Sequence, residues 1–220
     1  MSDNPMHRYL HTLALIEKQI AQFQEPIVTE VAGRRIPYLV LISCMLSLRT
    51  KDETTRGASQ RLFAVANTPR KMVKLSSGRL ARLIYPVGFY RNKAKAILET
   101  SRAIIRNYHG RVPDSESGLL RFKGVGRKTA NLVLGLGFGK PAICVDVHVH
   151  QIANRLGWVK TKDPYGTELA LAQILPKGRW IAVNNTLVTF GQNICLSVSP
   201  LCSKCAVRPL CKRKEVIRWR

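Results

Sequence analysis

The sequence predicts an all-α protein on three observations. Apolar residues recur at helical spacing nearly throughout, the eleven prolines fall between the periodic stretches rather than inside them, and the alternation of a half-buried strand is essentially missing. The first predicted helix covers residues 7–23, and Pro26 and Pro37 set it apart from the second at 38–48. Asp52 opens the third at 52–66, and Pro69 opens a short fourth at 69–74, at the start of a helix where proline is tolerated. Further helices follow at 77–84, 91–108 and 115–121, parted by Pro86 and Pro113. After a Gly-Val-Gly corner come 127–138, 147–156, 165–175 and 179–190, with Pro141, Pro164 and Pro176 in or beside the joints. The joining segments are short, and there is no internal repeat, low-complexity tract or long linker. At 220 residues this is a compact chain of one domain or two small ones.

Charge narrows the partner. Thirty-six Lys and Arg oppose 13 Asp and Glu, a net charge of +23, far more than solubility requires and suited to a polyanion. The excess is uneven. Residues 70–111 hold eleven basic side chains against Glu99 alone, and residues 204–220 hold seven against Glu215 alone, so both are candidate phosphate-contacting faces. The first apolar stretch, 10–16, is short and broken by His11 and Thr12, and no run approaches the roughly twenty apolar residues of a membrane-spanning helix. The expectation is a soluble intracellular protein with no membrane attachment.

Four of the six cysteines, Cys195, Cys202, Cys205 and Cys211, stand in the spacing C-x6-C-x2-C-x5-C. Four thiolates so close suit an iron-sulfur cluster or a structural zinc, and either would clamp a loop with too little apolar content to fold alone. Zinc sites usually pair two short C-x2-C arms across a longer gap. A single such arm flanked by intervals of six and five favours the cluster. Cys44 and Cys144, in apolar surroundings, read as inert core thiols.

Residues 119–130 read as a short helix, a tight hairpin at Gly124, Val125 and Gly126, and the start of a second helix at Arg127 and Lys128. Glycines there permit positive φ and remove Cβ atoms, so backbone N–H groups converge on a phosphate oxygen at a helix N-terminus. With two flanking amphipathic helices and two following cations, the pattern is a helix-hairpin-helix element for the DNA backbone. Downstream, Asp146 precedes the helix beginning VHVH. Aspartate is a favoured N-cap, and capping also keeps a carboxylate ionised, ready to stabilise a cation or take a proton. His148 and His150, two apart on a helix, point to different faces and do not pair as metal ligands. His148 is read instead as a solvent or DNA-backbone contact.

The hairpin GVGRKTAN, an aspartate eighteen residues beyond its lysine in VDVHVHQIANR, and the cysteine loop preceded by FGQ together resemble the endonuclease III family of the helix-hairpin-helix DNA glycosylase superfamily. The resemblance runs from LISCMLSLRTKD at Leu41 to the end of the cysteine loop. It implies two α-helical domains: a six-helix domain over residues 30–140 and a cluster domain from residues 1–29 plus 141–220, with the damaged nucleotide entering the groove between them. It implies Lys128 as nucleophile, Asp146 as its assistant, and a [4Fe-4S] cluster on the four cysteines. The implied partner is double-stranded DNA carrying damaged bases or AP sites, bound by a monomer. The implied activity is that of a bifunctional glycosylase and AP lyase on oxidised or ring-saturated pyrimidines such as thymine glycol, in the cytoplasm or nucleoid if the source is prokaryotic.

The chemistry suits these residues. Base removal requires extruding the nucleotide at an unstacking cost of a few kcal/mol. Phe89, aligned with the family's inserted leucine, is an aromatic wedge for the gap. Lys128 has to be neutral to attack C1′, against an ordinary lysine pKa of about 10.4, and a helix N-terminus, neighbouring cations and burial beneath DNA all disfavour the ammonium. Amine attack leaves a Schiff base on the opened sugar, and loss of the C2′ proton then eliminates the 3′ phosphate. Arg49 departs from the glutamine usual in LSxQTxD and brings a bidentate donor fork suited to guanine, so an altered opposite-base preference is expected. Lys204, in the cysteine loop, is placed to grip the backbone. The alternatives are an AP lyase or glycosylase of different base specificity, and a noncatalytic iron-sulfur DNA-binding protein.

Overall fold

The computed structural model describes residues 5–220, and among them no strand occurs. In chain order the α-helices are α1 (Pro5–Ile20), α2 (Ile27–Ala32), α3 (Pro37–Ser47), α4 (Asp52–Val65), α5 (Pro69–Met72) and α6 (Ser77–Ile84). They continue as α7 (Tyr90–Tyr108), α8 (Glu116–Leu119), α9 (Arg127–Leu132), α10 (Val147–Leu156), α11 (Pro164–Ile174) and α12 (Trp180–Asn193). Their starts are chemically marked. Thr68, Ser76, Ser115, Asp146 and Asp163 accept backbone N–H bonds as N-caps, and Pro37, Pro69 and Pro164 sit in the first helical positions.

Ile27–Lys140 forms one compact unit, and the remaining described residues form a second. The first is organised on α3, whose residues from Tyr38 to Leu46 are all buried. A helix apolar on every side has to be surrounded, and α2, α4, α7 and α9 pack around it. In the second unit α12 packs against α1 and α10, and α11 against α10. Its core contains Leu13 and Ile16 of α1, Val149 and Ile152 of α10, Leu171 of α11, and Leu187 and Phe190 of α12.

Two local features depart from the expected helices. α2 was not expected, because six residues carry too little period to read. Its first N–H donates to both oxygens of the Asp52 carboxylate, at 3.2 and 3.0 Å, and Glu30 pairs with Arg56, so α4 supplies what the short helix lacks. The helix expected over 127–138 divides into α9 and one π turn, Val133–Gly137. There Gly137 lies so close to α3 that a Cβ would sit 3.1 Å from the Cα of Pro37. No helix among the described residues is long and apolar enough to cross a membrane.

Candidate active site and thiol pocket

In the first unit α8 and α9 are joined by a corner built for close approach. Leu119, Phe122 and Val125 are buried, and Phe122 meets Tyr108 of α7 edge to face, which roots the turn in the core. Gly124 has φ +82°, a conformation that favours glycine, and a Cβ at either Gly124 or Gly126 would meet nothing within 4 Å. The corner therefore presents bare backbone to open space. Arg127 bridges back to Glu116 at 2.6 Å and ties the second helix to the first. Lys128 is the second residue of α9 and is exposed. It lies near enough to the buried thiol of Cys44 on α3 to oppose the rise to about 12 that burial imposes there.

Arg49 and Phe89, forty residues apart, come together in the same unit. Each is a non-glycine residue with left-handed backbone, φ 51° and 58°, and the Arg49 guanidinium lies 6.0 Å from the centre of the Phe89 ring. Phe89 is 61% exposed, so it is not core. Beneath them lies Lys93 of α7, whose ammonium donates to the carbonyls of Leu46 at 2.7 Å and Leu48 at 2.5 Å and to the Thr50 hydroxyl at 3.1 Å. Sequence reasoning missed Lys93, because nothing separates it from the other cations of a basic stretch.

Burial pushes the Lys93 ammonium down from 10.5 to about 8. Between those values the unfolded chain binds the proton more tightly than the folded one, so the half-buried charge lowers stability at neutral pH, and the penalty fades as pH rises through the window. Denaturant unfolding of the wild type and Lys93→Met at about pH 7.5 and about pH 9.5 checks this. The wild type is expected to gain on the variant at the higher pH, and an unchanged difference would remove the expectation.

In the second unit Asp146 caps α10. Its Oδ1 accepts from the backbone N–H groups of His148 and Val149 at 2.9 and 3.0 Å, and its Oδ2 faces Nδ1 of His148 at 3.3 Å. The carboxylate is thus fixed in orientation at the positive end of a ten-residue helix. His148 is half-buried rather than free in solvent, because its ring lies against Gly191 of α12, where a Cβ would stand 2.6 Å from its Cδ2. Lys128 and Asp146 belong to different units.

Cys195, Cys202, Cys205 and Cys211 line a single pocket with Leu156, Phe190, Ile194, Val207 and Val216. Burial raises the thiols of Cys195, Cys205 and Cys211, that of Cys205 to about 11, and the thiols raise one another. N–H donors answer them: Nη1 of Arg155 stands 3.5 Å from the Cys195 sulfur and the amide of Arg213 stands 3.3 Å from that of Cys211. Arg155, only 4% exposed, also donates to the carbonyls of Leu196 and Ser197 at 2.9 and 2.6 Å and so holds the loop from inside. No group of three or more described His, Cys, Asp or Glu side chains is arranged to hold a single metal ion. Lys204 is exposed on a 3-10 turn, Cys202–Lys204, whose last carbonyl accepts from Gln19 at 2.6 Å. Cys44 and Cys144 are buried and unbridged, as expected.

A bare glycine corner joining α8 to α9, with a lysine behind it, is a helix-hairpin-helix arrangement. Residues 42–177 match the HhH-GPD superfamily base excision DNA repair protein model. Endonuclease III of Thermotoga maritima is 51% identical over 80% of this chain and 83% of its own length. The mouse endonuclease III-like protein 1 is 46% identical over 79% of this chain, which spans 59% of that relative. A solved non-covalent endonuclease III-DNA complex superposes with TM-score 0.84 at 32% identity, covering 94% of this chain and 95% of the other. The chain belongs to the endonuclease III family of the HhH-GPD superfamily, and by that membership it is a DNA glycosylase and AP lyase.

Proposed function

We propose that the chain acts as a monomer on duplex DNA, removing oxidised or ring-saturated pyrimidines such as thymine glycol and cleaving the strand at the resulting site. The observation that carries the reading is the placement of Lys128. It is an exposed amine one residue inside α9, directly behind the open Gly124 to Gly126 corner. In this reading the corner's amides and Arg127 take the DNA backbone, and Phe89 fills the stack vacated by the extruded base. The Lys128 amine attacks C1′ as the base departs with its bonding electron pair. The carboxylate of Asp146, held by two backbone donors, accepts a proton from the Lys128 ammonium to free the amine and, as the anion, stabilises positive charge developing on the sugar. The Schiff base then acidifies the C2′ proton, and its loss expels the 3′ phosphate. Borohydride trapping on thymine glycol, AP-site and 8-oxoguanine duplexes tests this: a covalent adduct with thymine glycol supports it, and an adduct with the AP site alone favours a different base specificity.

The thiol pocket fits a [4Fe-4S] cluster. Burial and the neighbouring thiols hinder ionisation of Cys195, Cys205 and Cys211, so four thiolates in this pocket need a cationic core to take up their charge, and the N–H donors of Arg155 and Arg213 offset the remainder. Cys195, Cys202, Cys205 and Cys211 would hold it. Such a cluster would cross-link the loop and, held by four thiolates, would serve a structural role rather than hydrolysis. Lys204, Arg208 and Lys212, in or beside that loop, then grip the phosphate backbone.

In this reading the Arg49 guanidinium, 6.0 Å from the centre of the Phe89 ring, would offer its donor fork to the orphaned base of the opposite strand. Arg49→Gln is expected to change the ratio of excision rates across the four opposing bases, by about tenfold for the pair with guanine, while AP-site trapping continues. Unchanged ratios in that variant would remove the specificity role.

A further inference from the structure

Two loops carry the exposed Arg49 and Phe89, and both adopt backbone conformations that persist only where the surroundings impose them. The surroundings are specific. The Lys93 ammonium reaches from α7 to the C-terminal end of α3 and the loop beyond it, taking Leu46 O, Leu48 O and Thr50 Oγ1. Thr50 Oγ1 also accepts from the amide of Gly88 at 3.1 Å, so one hydroxyl joins the two loops. A Cβ on Gly88 would stand 2.7 Å from the Arg49 carbonyl, so only glycine permits the approach. From α4, Arg61 takes the carbonyls of Leu83 and Tyr85 and steadies the second loop from its other side.

We propose that Lys93, acting through Thr50, is a positioning residue that holds the Arg49 and Phe89 loops together as one preassembled wedge for base extrusion. The proposal rests on reading Phe89 as the side chain that enters the stack. Lys93 touches neither substrate nor reacting atoms. It sets the register in which the ring and the guanidinium meet DNA, so extrusion begins from a rigid device instead of two independent loops.

The test is a double-mutant cycle on single-turnover base release from a thymine glycol duplex, using full-length wild type, Phe89→Ala, Lys93→Met and the double variant. Lys93→Met is expected to slow base release about tenfold or more. The double variant is expected to be slower than the slower single variant by no more than about twofold, because both changes disable one device. Borohydride trapping at an AP site, where no base leaves the stack, is expected to stay within about threefold of wild type. Multiplicative losses, or a trapping defect as large as the base-release defect, would overturn the proposal. Thr50→Val breaks the same junction without removing the lysine; it carries the cycle if Lys93→Met does not fold, and the same pattern is expected of it. If Phe89→Ala excises at the wild-type rate, the wedge reading itself fails. If Phe89→Ala is slow and Lys93→Met is not, only the clasp fails.

Discussion

Lys128→Gln is expected to abolish the borohydride-trapped adduct and strand cleavage together, with base release slowed by on the order of 10³-fold or more, while affinity for the damaged duplex falls little. Glutamine keeps a polar, hydrogen-bonding side chain one atom shorter than lysine but has no nucleophilic amine lone pair with which to attack C1′. Binding survives in this account because the Gly124 to Gly126 corner, Arg127 and the basic face offer their contacts independently of that amine. The Asp146 carboxylate belongs to the other unit and keeps its two backbone donors in the variant, so the loss reports the nucleophile and not a disturbed cap. Single-turnover assays with gel separation of trapped and cleaved products decide it. Persistent cleavage would assign the lyase step to another amine, and loss of binding in parallel with activity would make Lys128 a phosphate contact.

Cys205→Ser is expected to remove the iron content and visible absorption of the purified protein and to open residues 195–211 to proteolysis. That loop has little apolar anchorage of its own: besides Cys202 only Pro200 and Val207 are buried, and Leu196, Leu201 and Leu210 are half-buried. Where a loop folds around a metal centre, removal of a ligand is felt as folding free energy, on the order of several kcal/mol. Lys204 and Arg208 ride on this loop, so the salt dependence of DNA affinity should flatten by about one unit of slope for each phosphate they no longer neutralise. Leu156 of α10 and Phe190 of α12 line the pocket from outside the loop, so they should stay packed while the loop unravels. Full iron content in the serine variant would remove Cys205 from the ligand set.

The parts of the site legible in sequence are those whose chemistry demands particular residues at fixed short spacing. The corner needed glycine at position 124 because φ is +82° there, and the thiols had to recur within one loop to share a pocket. Asp146 could be placed because N-capping is local. Helix α2 escaped notice because it is six residues long and takes its first hydrogen bond from Asp52, 25 positions away. Lys93 and Arg155 escaped for a related reason. Their partners are backbone carbonyls 45 and 41 residues distant, and every residue carries a carbonyl, so no side-chain pattern marks the acceptors. His148 is half-buried because of Gly191 on another helix, a closeness its own neighbours do not encode.

By itself the sequence determined an all-helical chain, its basic character, the hairpin, the thiol set and the lysine and aspartate. Helical period, glycine conformation and ligand chemistry are properties of residues a few positions apart. Only the tertiary structure decided that Arg49 and Phe89 stand together beside a half-buried ammonium, and that one buried arginine holds the thiol loop from within. Those outcomes depend on which carbonyls packing leaves turned inward, and packing is set by the whole core at once.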